Sequence, residues 1–301
     1  MARKRASTAA ANQVSGRYAE WLSLHQEQPP ILYHYTTADG LFSMLQSGHI
    51  WATDSRYMND PTELRYATSL LREVMAEELK GKKGSEVADW LKWMLDEQDA
   101  EARVYLASFC ADGDLLSQWR AYGAFGGGYA MGFDPGCLYG RQKYEKRPYR
   151  ILRKVIYDAE LQRLIIRSWL TDLMRQQTVQ QWNALTRDFL KFLSECLSTF
   201  KDPGYREEAE WRLIQFGRDE TRTWAWPMKF RARAGQIVPY ADLDLSKSKG
   251  QYNGRLPLRV IVHGPTLNPE RAMRSLQLFC ASRGFNADIL DLRASKIPFV
   301  G

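Results

Sequence analysis

Ile31-Leu32-Tyr33-His34-Tyr35-Thr36-Thr37, with the Ala38–Gln46 segment and His49-Ile50-Trp51-Ala52-Thr53 behind it, is the stretch whose reading decides the fold. Ile31 to Tyr35 is β-branched, aromatic and apolar and is entered from Pro29-Pro30, so it reads as a buried strand. Thr36, Thr37 and Asp39 supply N-cap oxygens for a helix in which Leu41, Phe42 and Leu45 share one face. Gly48 closes that helix, and His49 to Thr53 opens a second strand. The unit places an imidazole and a hydroxyl near the carboxyl end of a strand, beside a helix N-terminus. That is a polar anchor for a ligand carrying hydroxyls or phosphates.

A chain of 301 residues with 45% hydrophobic and 26% charged residues has the composition of an ordinary globular protein. Ten Trp, 15 Tyr and 12 Phe serve a core first but also supply stacking surfaces for planar ligands. The net charge of +7 is uneven: Arg3, Lys4 and Arg5 lie together without a nearby acid, which leaves the body only modestly basic. Nucleic acid or a polyanionic small molecule is permitted as a partner, not demanded. Cys110, Cys137, Cys196 and Cys280 are far apart and form no zinc pattern, so they read as reduced thiols of a cytoplasmic protein. No run approaches the roughly 18 apolar residues of a membrane span, and Ala9-Ala10-Ala11 is too short for a signal core.

Residues 1–15 read as a flexible basic tail and 16–301 as a single α+β domain around a central mixed or antiparallel sheet with flanking helices. Helices are expected over 16–28, 61–79, 86–99 and 269–282. Ala159 to Lys201 contains neither Gly nor Pro and reads as a helical insertion of one long helix or two. Strands are expected over 104–109, 129–133, 150–157, 228–234, 236–241, 256–262 and 287–292, and another in the segment reaching Phe216. Gly126-Gly127-Gly128 lacks the spacing of a nucleotide-binding loop and reads as a tight hairpin.

Four polar clusters sit at strand–helix or strand–loop junctions, where binding residues concentrate. They are His34/Thr36, Arg56/Asn59/Asp60/Glu63, Ser117/Gln118/Trp119/Arg120/Tyr122 and Glu208/Glu210/Arg212. Each has a plainer reading: a core histidine bonded to a backbone carbonyl, a turn and cap, a core tryptophan, and either solvated acids or a Glu210–Arg212 pair on one strand face. A serine triad lacks its nucleophile elbow and the histidines are too isolated for a metal site. Glu208 and Glu210 at i, i+2 sit about 7 Å apart on any strand, which is not diagnostic of a glycosidase pair.

The order LYHYT, GLFSMLQSGHIWAT, RYMNDPTE, SQWRAYG, GYAMGF, EWRLI, VIVHGP and S-x-IP resembles an uncharacterised bacterial domain-of-unknown-function family. The resemblance covers nearly all of the chain after about residue 30, and it departs at Phe299-Val300, where an aromatic and an Arg are usual. More distantly, His34-x-Thr36, the helix with Leu41 and Leu45, and Gly48-His49-Ile50-Trp51 resemble the first strand–helix–strand of the ADP-ribosyltransferase superfamily. That resemblance implies an ADP-ribosyltransferase-like fold and NAD as the substrate, with no metal. It implies that His34, with Thr36, holds the nicotinamide-side ribose, and that Glu210, or Glu208, stabilises the oxocarbenium-like transition state. Tyr122 is the implied stacking aromatic, with Tyr57 and Trp119 as alternatives, and Arg120 or Arg56 is suited to the pyrophosphate. Asn59 and Ser117 complete the expected site. The expected activity is ADP-ribosyl transfer or NAD glycohydrolysis, in a toxin-like or defence effector acting on nucleic acid or protein. A binding module for nucleotide or nucleic acid that does not turn over, and an RNA 2′-phosphotransferase-like enzyme, are the alternatives.

Overall fold

The opening strand–helix–strand forms where its residues direct it. β1 is Leu32–Thr36, α1 is Ala38–Ser47 and β2 is His49–Asp54. The Gly40 N–H donates to Thr37 Oγ1 over 3.3 Å at the start of α1. At its end Gly48, at φ 74°, returns its N–H to Met44 O, a left-handed turn that favours glycine. The structure, a computed structural model, describes residues 27–58, 62–80, 86, 89–91, 93, 104–123, 128–138, 150–175, 192–196, 198–216, 228–233, 235–246, 252, 255–285 and 289–298. The expected tail and residues 16–26 of the helix expected over 16–28 lie outside them, and Glu27 and Gln28 are not helical.

The chain divides into two compact units. One comprises Met1–Glu27, Asp60–Ala102 and Ile156–Gly204; the other comprises Gln28–Asn59, Arg103–Val155 and Tyr205–Gly301. In the first, α2 (Thr62–Glu78) and a later helix (Ala159–Arg175) pack through Leu71, Val74, Ile166 and Leu170, joined by Phe192 and Phe200. Residues 192–196 and 198–199 are also helical. Gln162, wholly buried, ties this unit together: its amide donates to Ile156 O (2.6 Å) and Lys201 O (3.0 Å) and accepts from Tyr66 (2.7 Å).

The second unit continues with β3 (Val104–Cys110), α3 (Leu116–Tyr122), β4 (Tyr129–Phe133) and β5 (Arg150–Lys154). With Ala159–Arg175 as α4, there follow β6 (Glu210–Phe216), β7 (Met228–Arg233) and β8 (Gln236–Asp244). β9 (Leu258–His263), α5 (Pro269–Ser282) and β10 (Asp291–Ala294) complete it. The ten strands form one mixed sheet in the order β10-β9-β4-β1-β3-β2-β8-β7, with β6 also along β3 and β5 along β6. All pairs are antiparallel except β9 with β10. One face carries the main core, including Leu32, Ile50, Phe109, Phe133 and Leu213, against Leu41 and Leu45 of α1 and Leu276 of α5.

Several boundaries differ from the sequence reading because strands end where their partners do. β5 stops at Lys154; beyond it the Val155 N–H donates to Glu210 O, and Ile156 bridges to Phe200. β8 runs on to Asp244 because β2 pairs with it as far as His49. The last strand is Asp291–Ala294, held beside β9. The tight hairpin expected at the triple glycine is corrected: the element before it is helix α3, and β4 pairs with β1 and β9.

Candidate functional site

β3 shares one of its edges between two strands. Along its other edge β6 pairs from Val104↔Phe216 to Cys110↔Glu210. On the shared edge β1 reaches only Cys110, through Tyr33, while β2 reaches only Leu106 and Tyr105, through Thr53 and Asp54. Between them the sheet splits, and the Ser108 carbonyl has no strand partner on that side. His34 takes the place of one: its Nδ1 lies 2.9 Å from Ser108 O. Because a carbonyl only accepts, Nδ1 carries the hydrogen, and in the neutral ring Nε2 is left as an acceptor.

Burial pushes the His34 pKa below the usual imidazole range; the Ser108 bond opposes this, and the charge of Arg231 adds to it. The fold therefore resists protonating this ring, whereas the unfolded chain takes up its proton below about pH 6.5. Above that value neither state is charged and the group is neutral to stability. As pH falls through it, stability is lost until the folded value is reached. Between about pH 7.5 and about pH 5.5 the urea midpoint should fall more for wild type than for His34→Gln. Equal declines would remove His34 as the cause.

Glu210 opens β6 directly after Ala209, whose φ of 43° is the one positive value among the described non-glycine residues. Strain of this kind gathers where a side chain must be aimed. Both carboxylate oxygens of Glu210 are engaged by Arg212: Nε donates to Oε1 over 2.7 Å and Nη2 to Oε2 over 2.9 Å. The pair is buried, with Glu210 6% and Arg212 1% exposed. Arg212→Met should therefore cost about 3–5 kcal/mol, because it leaves the carboxylate in the interior without its forked partner. Adding Glu210→Leu should recover much of that loss in denaturant unfolding, whereas simple additivity would show that the two are not coupled.

Strand alternation places Glu210, Cys110, Tyr33 and Tyr35 on one face of the sheet. His34 belongs by alternation to the other, turns its ring toward Phe109 at the split (centroids 5.7 Å apart), and does not have Glu210 among its contacts. On the face of Glu210 lie Thr53, half-exposed Trp51, Tyr240 and Arg231, none of which the sequence reading placed in a site, though Trp51 and Thr53 were named in their strand. Arg231 donates from Nη2 to Thr53 Oγ1 (2.8 Å) and lies 5.3 Å from the Trp51 ring centroid and 5.8 Å from that of Tyr240.

The remaining expected residues divide. The hydroxyl of Thr36 lies against Gly40 in the first turn of α1. Arg56 has one forked edge taken by wholly buried Asp54, at 2.9 and 2.6 Å. Asn59 and Asp60 lie outside the described residues, and Glu63 pairs with Lys201 in the other unit (2.7 Å). Tyr57, Tyr122 and Arg120 are exposed. Ser117 Oγ is buried and makes no hydrogen bond among the described residues. Glu208 ends the turn before Glu210 and is half-buried.

Trp119 is core. It packs edge-on to Tyr35 with centroids 4.7 Å apart, and its Nε1 donates to Asp114 Oδ1 over 2.8 Å. Asp114 also accepts from Ser295 Oγ and, over 2.7 Å, from the Lys296 N–H. A Cβ on Gly264 would lie 2.9 Å from the Trp119 ring, and Tyr35 donates to Asp112 O and accepts from the Leu115 N–H, each at 2.9 Å. The segments HYT, SQWRAYG, VHGP and S-x-IP thus meet at one buried ring.

Residues 118–213 match the family model DUF2971, a protein of unknown function. The DUF2971 match covers about a third of the chain and bears out the expectation of an uncharacterised family. It runs from α3 into β6, taking in Trp119 and the Glu210–Arg212 pair. Among the curated proteins and the solved structures nothing matches the chain. Among the described residues no group of three or more His, Cys, Asp or Glu side chains could hold a metal ion, and no helix is long and apolar enough to cross a membrane.

Proposed function

We propose that the chain is an NAD-dependent ADP-ribosyltransferase or NAD glycohydrolase of ADP-ribosyltransferase-like fold, with nucleic acid or protein as acceptor. The observation that carries this is the position of His34: it sits in the split along β3 with its Nδ1 hydrogen committed to Ser108, so that Nε2 is a fixed acceptor for a ribose hydroxyl. Support comes from β6, on the opposite edge of β3, whose first residue is Glu210.

In the reaction the bond between C1′ of the ribose and nicotinamide breaks, and its electron pair leaves with nicotinamide. Positive charge develops on the sugar, and the Glu210 carboxylate stabilises it electrostatically where water is scarce. Water or an acceptor nucleophile then bonds to C1′ and gives up its proton. The leaving ring needs a flat surface, for which Tyr122 and Tyr57, both exposed, are the candidates. All four cysteines are free, which suits a reducing compartment such as the cytoplasm.

One observation favours a second reading, nucleotide binding without turnover: both oxygens of Glu210 are already engaged by Arg212. Incubation of purified protein with NAD, following free nicotinamide, separates the two. Release by wild type and its loss in His34→Ala supports the enzyme. A thermal shift with NAD but no release selects the binding module. With neither signal both readings fail.

A further inference from the structure

We infer that Arg231 is an anion-recognition residue at the split between β1 and β2, holding the diphosphate of a nucleotide bound there. The choice of a nucleotide rests on the function proposed above; the anion site rests on Arg231 itself.

Arg231 has a role that neighbouring cations lack. Its Nε is buried and makes no hydrogen bond among the described residues. No carboxylate pairs with it there either, since Asp242 on the adjoining strand is taken by Lys229. Burial and the nearby charge of Arg233 both work against its protonated form. A half-buried guanidinium without a counter-charge carries part of its desolvation cost, and an anion arriving from solution would relieve it.

The surroundings orient the group. Thr53 accepts from one Nη, and the guanidinium lies over the adjoining rings of Trp51 and Tyr240, so its plane is set before any ligand arrives. A planar fork held in this way suits two phosphate oxygens at once. The location fits as well: Thr53 is the β2 residue that pairs with Leu106 where the split begins, and the Arg231 charge reaches His34. Arg231 and Thr53 lie on the face of the sheet that carries Glu210, while His34 belongs by alternation to the other face and turns its ring into the split between them. Arg56, which with Arg120 is one of the two residues the sequence suggests for the pyrophosphate, already has a forked edge occupied by Asp54.

The test is calorimetric titration of the full chain with ADP-ribose and with inorganic pyrophosphate, for wild type, Arg231→Met and Arg231→Lys. Wild type should bind ADP-ribose, and Arg231→Met should weaken it by on the order of 10- to 100-fold, the usual effect of losing a charged hydrogen-bonding partner. Arg231→Lys should fall between the two, because it keeps the charge and loses the fork. If Arg231→Met fails to fold, the comparison of Arg231→Lys with wild type decides. Unchanged affinity in the folded variants, or no binding of either probe by wild type, overturns the inference. Arg231-dependent binding without nicotinamide release would sink the enzyme reading and leave this one standing. Nicotinamide release with affinity indifferent to Arg231 would do the reverse.

Discussion

Glu210→Gln is expected to lower nicotinamide release from NAD by about 10²–10³-fold, the usual effect of removing one preorganised electrostatic stabiliser of a transition state. Affinity for NAD should change far less, because charge on the ribose develops only as the glycosidic bond breaks. The substitution also takes the charged partner from Arg212, which lies 2.7 Å from Glu210 Oε1 in the interior. Melting temperature will therefore fall, and rates must be compared where both proteins are folded. The diagnostic result is a large loss in turnover with NAD binding retained. Release at the wild-type rate would mean that Glu210 is a structural partner of Arg212 and that another group serves the sugar. Glu208→Gln is the natural companion: Glu208 ends the preceding turn and is only half-buried, so its loss should leave stability nearly unchanged.

Trp119→Ala should destabilise the larger unit by about 3–5 kcal/mol, the range for truncating a buried large aromatic. The ring is 5% exposed and shares a core cluster with Tyr35, Cys110, Ala130, Val260 and Val262. Its removal also takes one donor from Asp114, which continues to hold Ser295 and Lys296. Trp119→Phe, which keeps most of the apolar area and loses only the Nε1 bond, should cost about 1–2 kcal/mol. The order of these two variants in denaturant unfolding tests whether Trp119 of the SQWRAYG segment serves packing or ligand contact. A small effect of Trp119→Ala on stability, with a large effect on NAD affinity, would return Trp119 to the list of stacking candidates.

Local physics made much of this protein legible. The first strand–helix–strand follows from a run of β-branched and aromatic residues, a threonine cap and a glycine stop, all within about 20 residues. The helices of the smaller unit follow from apolar periodicity. What could not be read is which strands adjoin. Pairing depends on register between segments far apart in the chain, and the sequence carries no local mark of it. The hairpin expected at the triple glycine failed for that reason, since β4 finds its partners in β1 and β9. The same limit hid the site. His34 was visible as a polar residue in an apolar strand; that it would meet the Ser108 carbonyl, 74 residues later, depended on β1 and β2 dividing one edge of β3 between them. Arg231, 178 residues from Thr53, reads in the sequence as one more basic residue on an edge strand. Only the assembled sheet sets it over two adjoining aromatic rings with an unsatisfied nitrogen, because burial and hydrogen-bond satisfaction are properties of neighbours in space.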